Sequence, residues 1–317
     1  MLDVLCFGII VSDHICAPIS RLPRAGELIM TPRLELTIGG NAANVSTDLT
    51  KLGVKVGVVG LVGKDIFGRH VRESLVAAGV DCRLLCESPT SQTSQSLIVN
   101  VQGEDRRFIH GVGANADFDA SQVTPDMVRD CRVLFLGGYL LAEKPPVENI
   151  VRLFQAAREA GVTTLLDVVL PGSGDYWPRL RPLLPLVDVF MPNEDEGKLI
   201  TGESDPWRQA EAFHAAGVRT SIITRGGSGC IVVSNERRFQ AEAHRVEFVD
   251  GTGSGDAFVS GYILGMLRGA DVAQCVKLGS AMGASCVRST GATTGVFSAP
   301  ELEAFVASHS LPIVEAK

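Results

Sequence analysis

The chain has 317 residues, and 34 of them are glycine, well above the usual share of roughly 7%. With 29 Lys and Arg against 36 Asp and Glu it carries a formal charge of −7, is 45% hydrophobic and only 21% charged. This is the composition of a packed globular protein without the basic face a general nucleic-acid or anionic-membrane binder needs, so a bound phosphate must be held by local backbone geometry.

The first apolar run, residues 2–10, reads as a buried strand. The apolar stretch 4–11 within and just past it follows Asp3, lacks a basic leader and is too short to span a bilayer, so neither a signal peptide nor a membrane span is expected. Asp13 follows, where a parallel sheet places ligand groups at a strand's carboxyl end, or else as a turn cap. Residues 27–38 alternate polar and apolar side chains and run into Gly39-Gly40-Asn41-Ala42-Ala43-Asn44, which enters a helix over 43–52. The paired glycines permit close backbone approach, and Asn41 and Asn44 offer donors and acceptors suited to hydroxyl groups; the alternative is a glycine turn with an Asn cap.

A strand at 56–59 and a helix at 67–78 follow, then a second alternating segment, 93–110, with a turn at Gln102-Gly103-Glu104-Asp105. Residues 27–38 and 93–110 are expected to form a small sheet of half-exposed antiparallel strands, a lid or subunit contact projecting from the main body. Strands at 133–136, 163–168, 187–190 and 221–224 then alternate with helices at 147–160 and 207–216, and Gly53, Gly79, Gly161 and Gly217 close helices. This rhythm predicts an α/β fold, a mostly parallel sheet covered on both faces.

Two turns lie late in this series. In Asn193-Glu194-Asp195-Glu196, Asn193 and Glu196 are spaced to hold water-bound Mg²⁺ near phosphates or to cap a helix. Thr224-Arg225-Gly226-Gly227-Ser228-Gly229 joins two strand-like runs, as a simple hairpin would. The strongest chemical signal is Asp250-Gly251-Thr252-Gly253-Ser254-Gly255-Asp256, after a strand-like 245–249 and before a helix over 253–268. Three glycines within five residues let backbone amides converge at a helix N-terminus, which suits an anion. Asp256 beside an anion is costly unless it removes a proton from an attacking hydroxyl; otherwise it is a first-turn helix acid. Helices at 272–287 and 299–308 end the series.

No GxxxxGK[ST], HExxH or GxSxG motif occurs, and six dispersed histidines suggest no metal cluster. The eight cysteines are scattered without a CxxC pair, as buried thiols of a cytoplasmic protein would be.

The GGNAAN and DGTGSGD segments in this order, with an Asp after strand one, NxxE and the glycine turn at 224–229 between, resemble the signatures of the PfkB/ribokinase family of carbohydrate kinases along nearly the whole chain. The resemblance implies a single ribokinase-like domain over 1–317: a Rossmann-type three-layer α/β fold with a mostly parallel central sheet and a β lid from about 27–38 and 93–110. It implies ATP-dependent transfer of a phosphoryl group to a sugar or nucleoside hydroxyl. Asp256 then matches the catalytic base, and Gly253, Ser254 and Gly255 the anion hole. Asp13, Gly40, Asn41 and Asn44 match sugar-binding positions, and Asn193, Thr224, Gly226 and Gly229 nucleotide-side positions. Glu196 matches the Mg²⁺ residue. Asp250 and Thr252, with Ser289, Gly291 and Gly295 as further positions, match a monovalent-cation site that would take K⁺.

The sequence departs from that pattern in places. Gly251 replaces a usual Thr, and Ser254 stands in the usual GAGD. Asn41 stands where ribokinase has Lys, and Gly138-Tyr139 where it has a sugar-binding Glu, which puts ribose in doubt. The expectation is a cytoplasmic, Mg²⁺- and ATP-dependent kinase of a small neutral sugar, fructose-like or ribose-like, that forms a homodimer through the lid. A nucleoside or sugar-acid kinase, and a catalytically silent sugar- or nucleotide-binding regulator, are the alternatives. Arg106 and Arg107 read as a solvated strand face or as partners for a substrate anion.

Overall fold

The computed structural model describes residues 1–104 and 106–316. Asp105, the last residue of the expected 102–105 turn, lies outside them.

Strands form where apolar β-branched runs are bounded by Gly, Pro or Asp. In chain order they are β1 (Val4–Gly8), β2 (Val11–Ile19), β3 (Leu34–Gly39), β4 (Val56–Gly63), β5 (Asp81–Ser88), β6 (Gln95–Val101), β7 (Arg107–Gly111), β8 (Val133–Tyr139), β9 (Thr163–Val168), β10 (Val189–Phe190), β11 (Thr220–Thr224), β12 (Cys230–Ser234), β13 (Arg238–Ala241) and β14 (Ile313–Glu315). The helices are α1 (Asn41–Lys51), α2 (Ile66–Ala77), α3 (Pro125–Arg129), α4 (Val147–Glu159), α5 (Trp177–Leu180), α6 (Glu194–Thr201), α7 (Pro206–Ala215), α8 (Ser254–Leu267), α9 (Val272–Cys286) and α10 (Ala299–Ser308).

The large sheet has the order β14-β13-β12-β11-β10-β9-β8-β1-β4-β5. It is parallel from β11 to β5 and antiparallel from β11 outward to β14. Period-two alternation sends successive residues to opposite faces. Val4 and Cys6 enter a core with Val45 and Leu49 of α1, Ile263 of α8 and Val276 of α9. Leu5 and Phe7 enter one with Phe154 of α4, Ile200 of α6 and Phe213 of α7. The result is the expected three-layer α/β architecture. The eight cysteines are free thiols, and no helix among the described residues is long and apolar enough to cross a membrane.

The first strand differs from its expected form. The apolar run breaks at Gly8 (φ 138°), and the chain leaves the large sheet to begin β2 in a second, four-stranded sheet of order β3-β2-β6-β7. Asp13 is therefore inside a strand of the small sheet, opposite Thr37 and Ser96, rather than in a loop at the end of β1. The two alternating segments contribute β3, β6 and β7, but do not pair with each other: β2 lies between them, antiparallel to β3 and parallel to β6. Only residues 34–38 of the 27–38 segment are strand. Residues 245–249, expected as a strand, form no ladder at all.

The register of the small sheet sorts its two faces. Leu36, His14, Leu97 and Ile109 stand opposite one another in a single row across the four strands. Leu36, Leu97 and Ile109 are exposed on that face, and Leu34, two residues along, is 71% exposed. The adjacent row, Thr37, Asp13, Ser96 and His110, is on the opposite face.

Candidate active site

The strand order reverses between β1, which leads to β4, and β8, which leads away to β9. Open α/β sheets bind ligands at such a point, beyond the carboxyl ends of the strands. The chain brings its distant motifs together there. Gly40, in the turn before α1, has φ 87°, and a Cβ on it would stand 2.5 Å from the carbonyl oxygen of Ile9. Only glycine lets the turn approach β1 this closely and aim the start of α1 across the end of the sheet.

From that first turn, Asn41 Nδ2 donates to Asp256 Oδ1 at 2.9 Å and Asn44 Nδ2 donates to Asp256 Oδ2 at 2.8 Å. Asn41 Nδ2 also donates to Asp167 Oδ2 at 2.6 Å. Asp13 enters from the small sheet, its carboxylate lying over Gly39, where a Cβ would meet Asp13 Oδ2 at 1.9 Å.

Asp256 is in the first turn of α8. The Asp250-to-Asp256 segment makes its turn through Gly253 (φ 78°), the N-cap, where a Cβ would stand 2.5 Å from the carbonyl oxygen of Ala292. No side chain caps α8, so the amides of its first turn retain their capacity to bind a ligand anion. Asp250 holds the turn from below. Its Oδ1 accepts from the Thr252 amide at 3.0 Å and the Thr252 hydroxyl at 2.8 Å, and its Oδ2 accepts from the Gly291 amide at 3.0 Å.

The expected nucleotide-side residues form a second group. Asn193 and Thr224 are joined by a parallel bridge, and Arg225 N donates to Gly229 O at 2.8 Å across the 224–229 turn, which is a true hairpin between β11 and β12. Gly226 and Gly229 both have positive φ. Asn193 and Glu196 form a reciprocal cap on α6: Asn193 Oδ1 accepts from Glu196 N, and Glu196 Oε2 from Asn193 N, both at 2.9 Å. The cap and ligand readings of this motif are thus compatible, because each carboxylate oxygen of Glu196 keeps a free lone pair.

Burial crowds acidic groups here with little positive charge. It pushes the Asp256 carboxyl up to about 6, against the two Asn donors that favour its ionised form. Burial likewise raises Asp13 to about 7, opposed by the Ser96 hydroxyl and assisted by the Asp256 charge. Half-buried Glu196 is raised to about 7, mainly by desolvation, with the charges of Asp195 and Asp256 adding to it. Asp167 is raised by burial and by Glu196 and Asp256. Such a concentration of shifted groups at one end of the sheet makes it a candidate functional site.

Asp167 is the residue that sequence reasoning missed. It stands at the carboxyl end of parallel strand β9, the position at which Asp13 was expected, and the same strand-end rule would have found it. Arg106 also belongs to the site region rather than to a solvated face: a Cβ on Gly251 would come within 2.7 Å of its Nη1, and its guanidinium lies 5.5 Å from the Phe108 ring centroid. Arg107 pairs with Glu104 at the exposed tip.

Residues 1–299 match the family model described as pfkB family carbohydrate kinase. The chain is 32% identical to the aminoimidazole riboside kinase of Salmonella typhimurium over 285 residues, covering 86% of this chain and 89% of that one. It is 29% identical to a fructokinase of Escherichia coli over 303 residues, covering 90% and 96%. Among solved structures, an Escherichia coli protein in complex with ATP and Mg²⁺ superposes with a TM-score of 0.83 at 26% identity, over 98% of this chain and 100% of that one. The ribokinase of Arabidopsis thaliana, complexed with ribose and ATP, has the same fold, with a TM-score of 0.83 at 22% identity over 96% and 98%.

Proposed function

The chain belongs to the pfkB family of carbohydrate kinases, and we propose that it transfers the γ-phosphoryl group of ATP to a primary hydroxyl of a small neutral sugar, fructose-like or ribose-like, with Asp256 as the base. The observation that carries this reading is the environment of Asp256. Its carboxylate lies beside an open helix N-terminus, both oxygens are held by amide donors, and burial brings its pKa within reach of neutral pH. A regulator that only binds phosphate gains nothing from a carboxylate there.

In this reading the sugar lies between Asp13, Gly40, Asn41 and Asn44, its acceptor hydroxyl toward Asp256. The O–H bond breaks as its proton passes to Asp256, and the oxygen's electron pair forms the new P–O bond. The bond from the γ-phosphorus to the bridging oxygen breaks, and ADP leaves with that electron pair. The amides of Gly253, Ser254 and Gly255 face the charge that develops on the transferring group, at the positive end of α8. Asn193, Thr224, Gly226 and Gly229 line the nucleotide side.

Glu196 and Asp167 supply the hard carboxylate oxygens that Mg²⁺ prefers, and they are acidic groups in need of a counter-charge. Mg²⁺ bound there neutralises phosphate charge. Asp250 and Thr252, with the loop at Ser289, Gly291 and Gly295, form the place for a monovalent cation, K⁺ in the cytoplasm. The reduced thiols suit that compartment.

The small sheet acts as the lid, presenting Asp13 on one face. Its other face, the exposed row of Leu36, Leu97 and Ile109, is the surface for a homodimer. A second substrate reading is a riboside, favoured by the similarity to an aminoimidazole riboside kinase. A third, a sugar acid, is favoured by Arg106 beside the Gly251 turn.

ADP release over a panel of sugars, sugar acids and nucleosides separates these readings. A neutral ketohexose or pentose should give the highest kcat/KM. Preference for a nucleoside or an acid moves the assignment within the family, and no turnover of any compound leaves a silent binder.

A further inference from the structure

One buried acidic residue has no place in this mechanism. Asp48 lies on α1, one turn after Asn44, and is fully buried, with no hydrogen-bond partner for either carboxylate oxygen. Among the described residues no cation forms an ion pair with it, although the charge of Lys51 favours its ionised form. The nearest cation, Lys51, sends its Nζ to the carbonyl oxygen of Thr293, and the other titratable groups facing Asp48 are Asp256 on α8 and the Cys286 thiol on α9. An ionised carboxylate in that setting would be both desolvated and repelled by Asp256. Burial and the Asp256 charge accordingly raise the Asp48 carboxyl well above the usual range, against the opposing charge of Lys51, and so favour its neutral form.

A neutral carboxylic acid must place one O–H. Asn44 Oδ1 is itself buried with no partner, while the same amide's Nδ2 donates to Asp256. Residues four apart on a helix are neighbours, so the orphaned donor and the orphaned acceptor lie on one face of α1. Thr47 Oγ1, also unpartnered, is three residues from Asn44 and so a second neighbour on that side of α1.

We propose that Asp48 is a positioning residue for the transfer reaction: as a neutral acid it donates to Asn44 Oδ1 and fixes the amide with its nitrogen toward Asp256. Without Asp48, Asn44 can rotate and present its oxygen to the Asp256 carboxylate. With Asp48 in place the chain Asp48–Asn44–Asp256 has one polarity in both protonation states of the base, and each hydrogen bond polarises the next. The inference rests on Asp256 being the base.

The test uses the whole enzyme and four variants: Asp48→Asn, Asp48→Leu, Asn44→Ala and the double variant Asp48→Leu/Asn44→Ala. Asp48→Asn keeps a neutral donor and should hold kcat within about twofold of the parent. Asp48→Leu should lower kcat about tenfold, the worth of one buried hydrogen bond, at unchanged KM for ATP. It should also move the acid limb of kcat/KM to higher pH, because the Asn44 donor no longer favours ionised Asp256. Its thermal midpoint should fall modestly as well, because Asn44 Oδ1 is left buried without a donor, and the unchanged KM with the moved acid limb separates positioning from that loss of stability. In the Asn44→Ala background the Leu substitution should have no further effect on kcat.

A carboxylic-acid carbonyl stretch present in the infrared spectrum of the parent at pH 7 and missing from that of Asp48→Asn reports the neutral acid directly. That reading does not depend on the role of Asp256, which is decided separately by the turnover of Asp256→Asn. The proposal is overturned if Asp48→Asn loses as much turnover as Asp48→Leu, if Asp48→Leu folds and keeps full turnover, if the two losses multiply in the double variant, or if no such infrared band is lost.

Discussion

Asn44 Nδ2 and Asp256 Oδ2 are 2.8 Å apart although 212 positions separate them in the chain. The bond joins the first turns of α1 and α8, so it fixes at once where a hydroxyl can approach and where its proton goes. Replacing Asp256 with Asn keeps the shape and removes the base. Turnover should fall by about 10²–10⁴-fold while ATP still binds, as steady-state rates and calorimetry would show. Near-normal turnover would remove Asp256 from that role.

The same substitution has an opposite effect on stability. The folded-state pKa of Asp256, about 6, is above that of a free carboxyl, so folding favours the protonated form. Its contribution is present below the unfolded pKa and is lost as pH rises through about 6. Asp256→Asn, neutral throughout, should therefore unfold at a higher temperature than the parent at pH 8 and close to the parent's at pH 4. Equal shifts at both pH values in a thermal melt would sink this account.

For activity the sign reverses, because the base must be ionised. The kcat/KM of the parent should fall below about pH 6 as free Asp256 takes up a proton, with unit slope if it titrates alone and a steeper one if Asp13 and Glu196, both near 7, contribute. A pH profile flat from 5 to 8 contradicts it.

Gly253→Ala tests the anion turn. The substitution imposes a left-handed conformation on Ala and drives its Cβ toward Ala292. We expect a stability loss of about 1–3 kcal/mol and a drop in kcat of about 10²–10³-fold, read by denaturant unfolding and turnover.

Glu196→Gln should preserve the cap on α6, since Gln can accept from the Asn193 amide as Glu does, while removing the charge. The Mg²⁺ concentration for half-maximal rate should rise by about 10–100-fold without a change in melting temperature.

The exposed row on the small sheet leads to a mutation whose effect is read as mass. Ile109→Asp places a charge on the β7 edge of that face and should convert a dimer to a monomer in sedimentation at micromolar concentration. A monomeric parent would exclude the dimer from the outset.

The legible parts of this site were local. The glycines at 39–40 and 251–255, and the side chains spaced around them, are written in short contiguous stretches, so their turns and helix starts could be read directly. The small sheet was only half legible. Its alternating segments announced β3, β6 and β7, but β2 was hidden because a single apolar run spans the break at Gly8, and periodicity does not reveal a change of sheet. Residues 245–249 have strand-like composition and pair with nothing, since pairing depends on distant partners. Asp48 was invisible for a related reason: it lies within the helix expected over 43–52, and its burial depends on elements far along the chain.

The crowded carboxyls have a calorimetric consequence. Asp13, Glu196 and Asp256 all titrate between about 6 and 7, so the ligand-free cleft is a buffer that holds a fraction of a proton on each group at neutral pH. A divalent cation entering beside Glu196 should displace protons from this store. The apparent heat of binding will then depend on the ionisation enthalpy of the solution buffer. A dye-based assay in weak buffer should show an acid burst of a fraction of a proton per site on mixing, ahead of the steady acidification of turnover.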